Sequence, residues 1–179
     1  MRVSRYRRAN LPVRFRGFKQ ELIVKVFPII GLPMFQSELH ATVFNPDGSV
    51  DHLGRVGRRV ITTVGVGAMA NAFLGTFTLA NFNYHDCGTG TTAENIADTT
   101  LVTPYGGARS SGTQTSPSNG VYQSVGTITF SGSFAITEYG VFSATSSGTL
   151  LDRFVFAAIN VVSGASIQFT FKLTYTAGG

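Results

Sequence analysis

Side chains able to do chemistry are sparse in this chain of 179 residues, and their spacing excludes most of what they could do. His40, His52 and His85 stand in no His-Glu-x-x-His or Cys-x-x-Cys pattern, so no metal site is expected. Asp86 adjoins His85, and strand alternation sends the two to opposite faces. Gly88-Thr89-Gly90-Thr91-Thr92 has the composition of a phosphate loop. No Gly-Lys-Ser/Thr follows it and no apolar helix opens from it, so a turn is expected. No Gly-x-Ser-x-Gly elbow occurs, and Cys87 has no assignable histidine partner, which makes it a small buried residue. The reading is of a non-enzymatic chain without catalytic residues, metal or cofactor.

Glu138 is the most unusual residue. Alternation places it on a strand face with Phe134, Ile136, Gly140 and Phe142, where an unpaired carboxylate is costly. Arg153, on the next strand, reaches it across the Ser146-Ser147-Gly148 turn in a direct or diagonal pair. A structural ion pair between Glu138 and Arg153 is the expectation. The competing reading takes Glu138 and Asp152 as a glycosidase pair, which needs the carboxyls about 5 to 10 Å apart.

Charge is unevenly distributed. Arg2, Arg5, Arg7, Arg8, Arg14, Arg16 and Lys19 fall in residues 1–20 with no acid among them, giving that segment +7. Residues 21–179 hold seven basic and nine acidic side chains, a formal charge of −2. A basic arm of this kind attracts phosphate or carboxylate arrays. Tyr6, Leu11, Val13, Phe15 and Phe18 interleave with the cations, and Val13 to Arg16 alternates as a strand laid along another surface would. The arm is therefore expected to dock, through Arg2, Arg5, Tyr6, Arg7, Arg8, Arg14, Phe15, Arg16, Phe18 and Lys19.

The elements that must carry these groups are mainly strands. The composition includes 43% hydrophobic residues, 21 Gly, 15 Phe and no Trp, as in a turn-rich β protein with one substantial core. A single cysteine excludes an intrachain disulfide. The longest apolar run, Phe27 to Phe35, has nine residues and contains Pro28 and Pro33, too short for a membrane helix and too interrupted for a secretory signal.

Strands are expected at Glu21 to Phe27, at Glu38 to Phe44 and Val50 to Leu53 around the Asn45-Pro46-Asp47-Gly48 turn, and at Leu79 to Cys87. The sole helix is expected over Thr62 to Gly75, capped by Thr62 or Thr63, with Met69, Phe73 and Leu74 packed on a sheet. Tyr105 to Gly120 reads as a surface loop. Val121 to Phe130, Phe134 to Ala144, Thr149 to Ile159 and Ala165 to Thr176 read as an antiparallel meander. In the last, Ile167, Phe169, Phe171, Leu173 and Tyr175 share a core face. The whole is an antiparallel β-sandwich with one short helix, residues 21–179, behind a basic arm, residues 1–20.

One ordered set of motifs resembles a diffuse family of tailed-bacteriophage virion proteins, with likeness also to tail-collar fibre modules. It comprises Gly88 to Ala93 with Asp98, Thr99 and Leu101, then Ile136 to Phe142, then Gly148 to Arg153, closed by the strand Ile167 to Tyr175. It spans about residues 38 to 176 and leaves out the arm. The resemblance implies a virion structural subunit, an accessory capsid (decoration) protein or a head-tail or baseplate adaptor, assembled in the host cytoplasm. Its partners would be further copies of itself and other virion proteins, with no membrane. The alternatives are a small coat protein, or a non-specific nucleic-acid binder using the arginines with Tyr6, Phe15 and Phe18 as stacking groups.

Overall fold

Alternating apolar and polar positions make strands that bury one face. In the structure, a computed structural model describing residues 34–59 and 61–177, those strands form two antiparallel sheets. In chain order the elements are β1 (Met34–Phe44), β2 (Val50–Arg59), α1 (Thr63–Phe73), a 3-10 turn (Leu79–Asn81) and β3 (Tyr84–Gly88). Two short strands follow, β4 (Ser110–Ser111) and β5 (Thr113–Thr115), and then β6 (Val121–Thr129), β7 (Phe134–Phe142), β8 (Leu150–Val161) and β9 (Ser166–Thr176). The first sheet runs β2-β1-β9-β6-β5 and the second β4-β3-β7-β8. The described residues are thus mainly β, a two-sheet antiparallel sandwich with one short α-helix among them. The arm, residues 1–20, the expected strand Glu21 to Phe27 and the loop after it lie outside the described residues.

The C-terminal strands fall close to their expected positions but are not a meander. β6 and β9 pair with each other in the first sheet, while the β7–β8 hairpin between them belongs to the second. Chain order gave no hint of this, because a strand pair reads the same in sequence whichever sheet it joins. β9 sits between β1 and β6, with Ile167, Phe169, Phe171 and Leu173 fully buried and Tyr175 half exposed at the sheet's end. Tyr139 of β7 packs on Phe169 with ring centroids 4.6 Å apart, joining the sheets. Burying each such aromatic stabilises the sandwich by roughly 1.5–3 kcal/mol.

Three further expectations change. Leu79 to Cys87 is a strand only from Tyr84, because Leu79 to Asn81 close a 3-10 turn through the Phe82 N–H to Leu79 carbonyl bond. Tyr105 to Gly120 is not wholly loop: β4 adds to the edge of β3, and β5 to that of β6, so this segment passes from one sheet to the other.

The helix begins where expected. Thr62 Oγ1 accepts from the Gly65 amide at 3.0 Å and donates to the Leu150 carbonyl at 2.8 Å, which seats the cap on β8. Its buried face consists of Gly65, Ala68 and Met69, whereas Phe73 is 94% and Leu74 76% exposed. Packing of Phe73 and Leu74 on a sheet is therefore overturned. A bulky contact there is replaced by a close one at Gly65, where any side chain would strike the Leu151 carbonyl.

Candidate functional site

β7 carries Glu138 into the outer face of the second sheet, beneath the segment 89–108. Phe134 and Ile136 do not share that face: the ladder with β8 shifts register between Ile136 and Glu138, turning them toward the main core. Arg153 pairs in register with Gly140, one step diagonal to Glu138. The structure brings the two together, with Nη2 and Nε each 2.8 Å from Oε2 and both side chains buried.

The carboxylate is also a hub for backbone amides. Oε1 accepts from Thr103 at 2.6 Å and Gly90 at 3.2 Å, and Oε2 from Val102 at 3.0 Å. Arg153 spends its remaining donors on Asp98 Oδ2 and the Thr92 carbonyl, each at 3.0 Å. Thr137 Oγ1 adds a bond to the Gly90 carbonyl at 2.9 Å. Five N–H donors offset the desolvation that makes a lone buried carboxylate so costly.

The glycines of Gly88 to Thr92 follow from this geometry. A Cβ at Gly88 would sit 2.6 Å, and at Gly90 2.5 Å, from Glu138 Oε1. The segment that resembles a phosphate loop therefore does offer a backbone amide to an anion. That anion is the chain's own Glu138.

On the opposite face of the same sheet, two titratable side chains stand between the layers. Asp152 pairs in register with core residue Val141 and accepts from Ser37 Oγ of β1. Glu138 and Asp152 thus occupy opposite faces of the sheet and do not form a carboxylate pair across a cleft. His85 of β3 is fully buried, with Nδ1 2.5 Å from Tyr139 Oη and Nε2 2.8 Å from Ser124 Oγ of β6. Burial lowers its pKa from 6.5 to about 4, so the ring is neutral, one nitrogen donating and the other accepting.

Asp86, on the other face of β3, holds Arg109 Nε at 3.2 Å, and the guanidinium lies 3.4 Å above the Phe142 ring. Burial raises the Asp86 pKa, against the lowering influence of Arg109. Cys87 is buried, and desolvation together with Asp86 and Glu138 pushes its thiol well above the ordinary range.

Comparison with protein-family profiles, curated proteins and solved structures returned no match to this chain. Function is therefore argued from the groups themselves. Among the described residues no three His, Cys, Asp or Glu side chains are grouped to hold a metal, and no helix is long and apolar enough to cross a membrane.

Of the residues singled out from sequence, Glu138 and Arg153 meet, while Arg2, Arg5, Tyr6, Arg7, Arg8, Arg14, Phe15, Arg16, Phe18 and Lys19 lie outside the described residues. Sequence reasoning missed the His85–Tyr139–Ser124 bridge and the Ser37–Asp152 contact. A signal for the first existed in Gly112 and Gly126, whose Cβ atoms would lie 2.3 and 2.5 Å from the His85 ring. Glu138, His85 and Cys87 are each inaccessible to solvent, so their chemistry in this conformation is to accept, donate and fill.

Proposed function

We propose that this chain is a non-enzymatic structural subunit of a bacteriophage virion, an accessory capsid or head-tail or baseplate adaptor protein. A basic arm, residues 1–20, would anchor it to neighbouring subunits. The observation that carries the reading is the division of charge: +7 in residues 1–20 against −2 in the remainder. A body of the opposite sign repels nothing in such an arm, and neighbouring copies offer it carboxylates.

Support comes also from the motifs on which the phage resemblance rests. Gly90, Thr92, Asp98, Glu138 and Arg153 belong to one network, centred on a buried ion pair, whose effect is to fix a long loop on a sheet. A rigid surface suits a protein that must present the same face to every neighbour. The proposed setting is the particle, assembled in the host cytoplasm.

The test is deletion of residues 2–19 in the phage that encodes the chain. The body should remain folded by circular dichroism while incorporation into particles fails; normal incorporation would refute the anchoring role. The second reading, a coat protein or nucleic-acid binder, draws on the same cations interleaved with Tyr6, Phe15 and Phe18. It requires DNA or RNA affinity that falls steeply with salt and vanishes with the deletion.

A further inference from the structure

A solvated helix normally carries charge on its outer face, and α1 carries none. Residues 60–84 contain no Asp, Glu, Lys, Arg or His, although they supply a helix and a turn at the surface. Five exposed large apolar side chains lie on it or beside it. Val66 is 49%, Phe73 94%, Leu74 76% and Leu79 41% exposed, and Ile96, held beside the helix start by the Thr63 amide, is 62% exposed. Elsewhere the chain does place charge on its surface, with Glu38, Arg55 and Arg58 in contact on the outer face of β1 and β2.

We infer that α1, with the turn after it, is a two-fold contact between copies of this chain. A second copy is the occupant that the surface's charge favours, because an uncharged face meeting itself desolvates no ion and sets no like charges together. A partner recognised through charge would find nothing to read. Shape is self-complementary too. Gly67 and Ala70 lie on the exposed side of α1, and a Cβ at Gly67 would have nothing within 4 Å. Phe73 and Leu74 project about one and a half turns further along, roughly 7 Å away, which leaves Ala70 close to the two-fold axis. In an antiparallel crossing the large pair of one helix covers the small pair of the other, and the reverse, as a two-fold axis requires. Beside the helix, Met69, Leu79, Phe82 and Tyr175 line a recess of about 300 Å³ able to take the rim of such a contact.

The inference deepens the assembly reading by naming a surface, and it rests on that reading only in that copies must meet. The experiment is therefore done in solution on the full chain, by sedimentation velocity across a concentration series. Wild type should form dimers, and Phe73→Asp with Leu74→Asp should raise the concentration needed at least 100-fold with an unchanged circular dichroism spectrum. Ala70→Cys should give a disulfide-linked dimer on mild oxidation, because native Cys87 is buried, whereas Ser49→Cys, in the exposed β1–β2 turn at the end of β1 and β9 opposite Tyr175, should not.

A wild type that stays monomeric throughout would overturn the proposal. So would a dimer that survives both aspartates but disappears when residues 2–19 are deleted, which would assign the contact to the arm. Binding of monomeric wild type to phosphatidylcholine vesicles, lost in the double variant, would assign α1 to a lipid surface instead. Failure of the virion reading would be seen separately, as absence of the chain from purified particles whatever its state in solution.

Discussion

Arg153 Nη2 stands 2.8 Å from Glu138 Oε2, diagonally across β7 and β8, and each partner is further committed to a different stretch of the segment above them. Glu138 holds the amides of Gly90, Val102 and Thr103, while Arg153 holds Thr92 and Asp98. The pair is therefore less a bridge between two strands than a clamp on one loop.

Removal of Glu138 should cost more than removal of Arg153, because it strands a guanidinium and three backbone donors together. We predict that Glu138→Ala destabilises the fold by about 3–5 kcal/mol in urea unfolding. Hydrogen exchange should show the amides of Gly90, Val102 and Thr103 losing protection. Retained protection there would mean that the loop is fixed by other contacts.

His85 should give stability a pH dependence of known sign. The unfolded ring takes a proton near 6.5 and the folded ring only near 4, so between these values the unfolded state binds more protons and stability falls as pH falls. The loss is complete below the folded value and totals on the order of 3 kcal/mol. Asp86, whose pKa is raised by burial, acts in the opposite direction above its ordinary carboxylate range, so the measurement is a difference between wild type and His85→Gln. The variant should be less stable at neutral pH and flatter between pH 6.5 and 4. Parallel curves would dismiss His85 as the source.

Gly126 and His85 should behave as a coupled pair. A methyl at Gly126 would fall 2.5 Å from His85 Cγ, inside a layer with no space to yield. We expect Gly126→Ala to cost about 1–3 kcal/mol in wild type. In a His85→Ala background, where the ring is absent, the same change should cost much less. Equal costs in the two backgrounds would place the strain elsewhere.

These residues also mark how far sequence alone reaches. Strand periodicity located β6 to β9, and the cost of a carboxylate beside Gly140 and Phe142 pointed to Arg153, because both are local or nearest-neighbour effects. Sheet membership was illegible, since the β7–β8 hairpin changes layer without changing its alternation. Ile136 was misassigned because a register shift leaves no mark in residue type. Phe73 and Leu74 were misread for a different reason: helical spacing identifies an apolar stripe but not whether this molecule or another covers it. His85, Ser124 and Tyr139 come from three strands, and only the glycines that make room for the ring hinted at their meeting.

Cys87 offers a probe of the whole sandwich. Its thiol is inaccessible, and burial with Asp86 and Glu138 close by holds it protonated far above its ordinary titration range. A thiolate is the reactive species, so modification of the native state should be negligible at pH 8. We predict that labelling by a disulfide reagent proceeds at a rate set by unfolding, unchanged by reagent concentration once labelling outpaces refolding. Glu138→Ala should accelerate it, the logarithm of the rate rising with the stability lost. Fast labelling of the wild type, proportional to reagent and insensitive to urea, would instead reveal a local opening of β3 from its neighbours β4 and β7, the route by which a reagent could reach the thiol without global unfolding.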